Sequence, residues 1–333
     1  MNGCGPLVFQ PILMTKVWGG DSLSRFGKAV PRGSTIGESW EVADLASTAI
    51  SGAGGGAQRS VISNAPLKGQ TLHDAMLRWP NDMLGPRHSA AKAFPLLVKF
   101  IDAKQNLSVQ VHPSPAYARA HPDAHLKTEA WFIMDAAPGS VIYKGVKQGV
   151  TRDLFQRAIS AGKVAECLVS VPARVGECHN LPSGTCHALG AGVLVAEVQT
   201  PSDTTYRVFD WGRPGRELHV AQALDCIHWG KAPEALPLAN PSGGFGATLT
   251  TDYFALRHLT LANAGRQRVP GDAACTLLMV LVGGGSLQGE GGAYPAMTLK
   301  AGMTVLVPAN LTESTTIIGQ DMGGMECLIA QLP

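Results

Sequence analysis

The run Ser108-Val109-Gln110-Val111-His112-Pro113 alternates polar and apolar side chains. In a strand this puts Ser108, Gln110 and His112 on one face and Val109 and Val111 on the other. The valine face suits a sheet interior. An amide and an imidazole on the opposite face cost several kcal/mol to bury unless something pairs with them, roughly the price of an unmade hydrogen bond each. A bound cation or a polar substrate would meet that need; a solvated strand face is the plainer alternative. Lys127-Thr128-Glu129-Ala130-Trp131 opens a further apolar strand, again with its two charged residues on one face, a pattern that by itself describes a surface ion pair. In Pro182-Ser183-Gly184-Thr185-Cys186-His187, the proline and glycine set a tight turn that sends His187 into a strand toward the same cavity. Alternation turns Cys186 the other way, as a small core residue. Cys178 and His179 are adjacent ligand types without partner spacing and read as structural.

Gln110, His112, Glu129 and His187 together would offer an amide oxygen, two imidazoles and a carboxylate. That set suits a divalent transition metal, most often zinc, and the absence of thiolates favours a catalytic over a structural site. The densest polar stretch follows, from Glu197 to Arg213. Arg207 within it can grip a phosphate or stabilise an oxyanion, while Asp203 and Asp210 can equally hold Arg207 and Arg213 in a structural ion network.

The elements that must position these residues are mostly short. Strand-length apolar runs bounded by Gly, Pro, Asn or Ser occur at Phe94–Asp102, Ser108–His112, Ala130–Met134, Val193–Gln199, Cys275–Val282 and Thr304–Val307. Helical spacing predicts Thr71–Leu84, with Leu72, Met76 and Leu77 on its inner stripe, and Thr151–Ala161, with Thr151 as N-cap and Leu154, Phe155 and Ile159 inward. The expected fold is mainly antiparallel β, in sandwiches or jelly rolls with a few inserted helices, rather than βαβ units. Proline-rich Pro233–Ser242 reads as a linker. It separates residues 1–235 from 243–333, where Gly302, Pro308, Asn310 and Glu313 repeat the spacing of Gly176, Pro182, Gly184 and His187. The second unit is therefore expected to be smaller and to lack the metal ligands.

The 333 residues supply material for a large core, and 27 Lys+Arg against 25 Asp+Glu leave a net charge of +2. Without basic runs the chain is not expected to track nucleic-acid phosphates. No apolar run approaches bilayer length and no leader pattern opens the chain, so a soluble cytoplasmic protein is expected. Seven widely spaced cysteines, without a CxxC, read as reduced thiols.

Pro95-Leu-Leu-Val-Lys-Phe-Ile-Asp-Ala, Leu-Ser-Val-Gln-Val-His-Pro, Lys-Thr-Glu-Ala-Trp, Gly-Thr-Cys-His-Ala-Leu and Ser-Asp-Thr-Thr-Tyr-Arg-Val-Phe-Asp-Trp-Gly-Arg occur in this order. With the early Trp18-Gly19-Gly20 and Ile36-Gly37-Glu38-Ser39-Trp40, they make residues 8–230 resemble type I mannose-6-phosphate isomerases of the short bacterial branch, which are zinc cupins. The resemblance implies two cupin (jelly-roll β-barrel) domains and one zinc per chain on Gln110, His112, Glu129 and His187. It implies an active-site Arg207, with Lys127 and Glu197 beside it and Ser108, Lys99 and Trp18 toward the substrate. The implied reaction interconverts mannose 6-phosphate and fructose 6-phosphate through an enediol; a cupin that binds sugar or metal without catalysis is the alternative. In that scheme Lys99 or Lys127 holds the phosphate, Arg207 stabilises the oxyanion and Glu197 is a candidate proton carrier. The partner is a small sugar phosphate, not nucleic acid or membrane, and the chain is expected as a monomer or homodimer. Leu126 departs from the family pattern, standing where a glycine usually precedes Lys-Thr-Glu.

Overall fold

The computed structural model describes residues 5–49, 53–240, 242–320 and 322–333; Cys4 lies outside them. The fold is mainly β, as expected, and its sheets stack face to face without any closing on itself. Seven strands form the central layer, in the order Ala235–Pro237, Glu177–Leu181, Glu129–Ala136, Val193–Gln199, Leu97–Ala103, Ile36–Val42 and Ile12–Gly20. Five strands face one side of it, in the order Leu168–Pro172, Val141–Val146, His187–Leu189, Val109–Val111 and Tyr206–Phe209. A nine-stranded sheet, built from Leu7–Val8 and the strands after residue 243, covers the other side.

The strand Val193–Gln199 shows why the central layer is apolar on both faces yet polar at one end. Leu194, Ala196 and Val198 pack against Leu277, Met279, Leu328 and Ala330 of the nine-stranded sheet. Val193 and Val195 pack with Ile142 and Leu189 of the five-stranded sheet, and Glu197 continues that second face. A strand covered on both sides must be nearly all hydrophobic, so one buried glutamate in it stands out. Val109 and Val111 are fully buried on the outer face of the five-stranded sheet, beneath the helices Arg152–Ser160 and Val220–Cys226, with Cys186 beside them.

The two expected helices form with shifted boundaries. Thr71 caps Leu72–Arg78 through a capping box, and a second helix, Pro80–Leu84, follows Trp79 because proline cannot continue the first. Leu72 and Met76 are buried but Leu77 is 64% exposed, since a residue next to Met76 lies about 100° round the helix. Thr151 caps Arg152–Ser160, where Phe155 is buried and Leu154 is exposed for the same reason. Pro115–Ala120, Val220–Cys226 and Ala309–Thr312 are helices without a counterpart in the sequence reading. The expected strand at Cys275–Val282 runs on to Gly289. Gly283 adopts φ 68°, and the bent strand pairs with Thr304–Val307 before it and Met297–Lys300 after it. The expected linker is partly sheet: Ala235–Pro237 pairs with Glu177–His179, and Leu238 is buried. All six described cysteines are free thiols, and no described helix is long and apolar enough to cross a membrane.

Candidate active site

Two cross-strand rows face each other between the five- and seven-stranded sheets. Arg207, Gln110, His187 and Lys144 lie directly opposite one another across four strands of the first. His179, Trp131, Glu197, Lys99 and Trp40 do so across five strands of the second. Directly paired residues point to the same side of a sheet, so both rows project into the space between the layers. His112 and Glu129, two residues on from Gln110 and two before Trp131, share these faces.

Glu129 reaches both imidazoles: its Oε2 is 3.3 Å from His112 Nε2 and its Oε1 is 3.0 Å from His187 Nε2. All three side chains are buried, and their ligand atoms lie within 4.8 Å of one another. Each imidazole is oriented from behind, His112 Nδ1 by the Thr204 carbonyl at 3.0 Å and His187 Nδ1 by the Thr185 carbonyl at 2.8 Å. Those acceptors hold the ring protons on Nδ1 and leave the Nε2 lone pairs turned inward. His112 Nε2 and both Glu129 oxygens are buried without a hydrogen bond of acceptable geometry. Inward lone pairs on two neutral imidazoles and a carboxylate suit a divalent metal ion, so the residues present fit one. The amide of Gln110 lies beside them, its Nε2 at 3.3 Å from His187 Nε2, and a half-turn of the amide puts Oε1 there instead.

Local sequence explains the placement. Gly184 takes φ 87°, where an added Cβ would meet the Cys226 carbonyl at 2.9 Å; its N–H donates to the His112 carbonyl, tying the two histidine strands together. Ahead of Glu129, the Thr200 hydroxyl accepts from the Thr128 N–H and donates to the Leu126 carbonyl. Ser183 donates its N–H to Thr128 Oγ1 and its hydroxyl to the Lys127 carbonyl. Leu126 stays outside the left-handed region, so the turn accepts leucine without backbone strain. On the entry strand, a Cβ on Gly37 would lie 2.5 Å from the Trp18 ring and 2.7 Å from Lys16, so only glycine lets those two side chains cross it.

From the ligand cluster a chain of alternating charge runs toward the cavity mouth. Lys127 Nζ lies 2.7 Å from Glu129 and 3.7 Å from Glu197; Lys99 Nζ lies 3.7 Å from both Glu197 and Glu38; Lys16 Nζ lies 3.3 Å from Glu38. Burial would raise the Glu38 carboxyl, but Lys16, Lys99 and the Trp40 indole N–H hold it down at about 2. Burial likewise works against the Glu129 charge, and Lys127 with the two histidines keeps it well below the usual carboxylate range. Burial pushes Glu197 up to about 8 against the pull of Lys99 and Lys127, the Glu129 charge adding to the rise. His112, desolvated and facing Lys127, falls to about 3 and is neutral at pH 7.

Trp18, Lys99, Ser108, Gln110, Lys127, Glu129, Glu197 and Arg207 all line this cavity. His112 and His187 meet Glu129 at its base. Every expected site residue is therefore brought together. Lys127 and Glu129 are buried rather than a surface pair. The polar segment after Glu197 divides. Asp210 does hold Arg213, at 2.6 Å, and also Arg216, at 3.0 Å. Asp203 instead accepts the N–H groups of Ala49 and Ala53. Arg207 pairs with neither; its Nη1 donates to the Glu217 carbonyl and its Nε is buried without a hydrogen bond. Lys16, Glu38 and Arg216 also line the cavity and were given no role in the sequence reading. Alternation from Trp18 would have found Lys16, and alternation from Trp40 would have found Glu38. Nothing in the sequence marks Arg216. Cys178 and His179 belong to no group of possible metal ligands among the described residues.

Residues 7–138 match the family described as phosphomannose isomerase type I, catalytic domain. A probable mannose-6-phosphate isomerase of Bacillus subtilis, GmuF, is 34% identical over 322 residues, covering 93% of this chain and 95% of that protein. A mannose-6-phosphate isomerase of Streptococcus mutans is 34% identical over 290 residues, covering 85% and 86% of the two chains. Among solved structures, a mannose 6-phosphate isomerase from Bacillus subtilis superposes with a TM-score of 0.82 at 27% identity, covering 98% of this chain and 99% of that one.

Proposed function

The chain belongs to the type I phosphomannose isomerase family, and from that premise we propose that it interconverts mannose 6-phosphate and fructose 6-phosphate through an enediol in the cavity above Glu129. The observation that carries the reading is the convergence of His112, Glu129 and His187, from three separate stretches, on one buried point at the base of that cavity. We take His112, Glu129, His187 and the Gln110 oxygen to hold one zinc ion, which when bound supplies Lewis-acid polarisation of the sugar carbonyl.

Moving a proton between C2 and C1 requires a carrier with a proton affinity near neutral pH and a cation for the enediolate charge. Glu197, held near neutrality by its surroundings, is the proposed carrier. Lys127, between Glu129 and Glu197, donates to the sugar oxygens and fixes both carboxylates. Arg207, with a buried Nε in want of an acceptor, stabilises the enediolate. Ser108 and Lys99 orient hydroxyls, and Trp18 supplies an apolar wall. The phosphate belongs at the arginine end: Lys16, Lys99 and Lys127 are interleaved with Glu38, Glu197 and Glu129, whereas Asp210 alone faces both Arg213 and Arg216. Arg216 thus replaces the lysines as the phosphate group's main partner. We further read residues 1–235 and 243–333 as two cupin-type units, each an open sandwich, in a cytoplasmic enzyme; only the first carries the ligand set.

The test is direct. Purified protein mixed with mannose 6-phosphate should release fructose 6-phosphate, lose that activity to a chelator and regain it with zinc. No turnover by zinc-loaded protein, or turnover indifferent to chelation, contradicts the proposal.

A further inference from the structure

The two polar rows do not end at the metal cluster. Beyond His187 the first row continues to Lys144, and beyond Trp131 the second continues to His179. The Trp131 indole packs edge-on against the His187 ring, 5.2 Å between centroids, between this end and the isomerase cavity. Lys144 is 5% exposed, and its Nζ is buried without a hydrogen bond. His179 is fully buried and neither ring nitrogen has a hydrogen bond. Neither residue has a part in the proposed isomerisation. Burial pushes the Lys144 ammonium below its ordinary range, as expected of a cation without a close partner, and an anionic ligand beside Nζ would restore its charge.

Lys144 lines a separate cavity of about 490 Å³ that opens between the strand edge at Leu168–Pro172 and the segment 229–234. Its apolar walls are Val146, Val169, Val171, Trp229 and Pro233. The nearby carboxylates have other partners, Glu234 with Lys231 at 2.5 Å and Glu177 with Arg174 at 3.4 Å and His179 Nε2 at 3.9 Å. Both act on Lys144 only at longer range, and among the described residues no carboxylate lies within ion-pair distance of its Nζ. We infer that this cavity is a second ligand site, for an organic anion whose acidic head pairs with Lys144 and whose apolar body lies against Trp229, Val169 and Val171. Carboxylates and phosphate monoesters share the required chemistry. The site needs no step of the isomerase reaction and stands whether or not the isomerase proposal does.

Calorimetric titration of the zinc-loaded full chain with 4-phenylbutyrate, phenyl phosphate and 4-phenylbutanol tests this. At least one of the acids should bind, roughly tenfold or more tighter than the neutral alcohol. Lys144→Met should weaken that binding by a similar factor while keeping the thermal midpoint. Val169→Trp, which occupies the part of the cavity where the apolar body would lie and leaves the charge in place, should weaken it as well and guards against a folding defect in the first variant. Binding of neither acid, equal binding of acid and alcohol, or binding unchanged in both variants overturns the inference. Which acid binds more tightly identifies the head group.

Discussion

After Gly176, at φ 85°, the chain forms the strand Glu177–Leu181, turns at Pro182 and Gly184, and enters a new strand on His187. After Gly302, at φ 84°, it forms Thr304–Val307 and turns at Pro308; Asn310 then lies in a one-turn helix, Ala309–Thr312, that leaves Glu313 exposed outside the next strand. The frames correspond and the interiors do not. Leu259, Leu278, Val280, Val305, Val307, Ile317 and Ile329 fill the second with apolar side chains. In the first, Glu38, Lys99, Lys127, Glu129, Glu197, His112, His187 and Arg207 are buried at one end. An apolar interior is the stable default, and interior charges are tolerated where they are paired or put to use. The contrast teaches that the first interior is shaped for a ligand at a cost in stability that the second does not carry.

Substitutions in the two interiors should therefore have different consequences. Arg207→Ala in the first interior should lower kcat by about 10²- to 10³-fold, the range for losing one preorganised charge stabiliser, with metal content unchanged; activity at the parent level would remove Arg207 from the mechanism. Leu278→Ala in the second interior should cost about 2–5 kcal/mol of unfolding free energy. Its kcat and metal content at low temperature should match the parent, as chemical denaturation and metal analysis would show. Two buried histidines of the first interior, His112 and His179, predict a pH signature. Burial and Lys144 lower His179 to about 4 from the ordinary 6.5, so between those values the unfolded chain binds a proton that the folded chain does not. Stability should therefore fall as pH drops through that window, by about 2 kcal/mol at pH 5 from this group. In metal-free protein, His179→Phe should make that acid limb shallower and leave the share of His112, measured by denaturant midpoint against pH. Smallest, Thr200→Val should weaken metal binding about tenfold by loosening the turn that carries Lys127 and Glu129.

Alternation in short strands made much of the site legible, because Gln110 with His112 and Lys127 with Glu129 need only a period of two. Glu197 and Arg207 came from family resemblance and local polarity. Register is long-range, so the sequence could not reveal that Arg207, Gln110 and His187 form one row, nor that Lys144 and His179 extend the facing rows past the cluster. The helix errors at Leu77 and Leu154 have a simpler origin: short amphipathic segments leave the inward direction uncertain by one residue, about 100°. The bend at Gly283 and the pairing of Ala235–Pro237 depend on neighbours distant in sequence, which composition does not report.

If isomerisation depends on a metal held by His112, Glu129 and His187, the ion must sit between these three side chains. Anomalous diffraction at the zinc edge from crystals of the zinc-loaded, active protein tests it most directly. One strong peak is expected, about 2.1 Å from both Nε2 atoms and from a Glu129 oxygen. A peak elsewhere, with these three side chains still closed on one another, would contradict it.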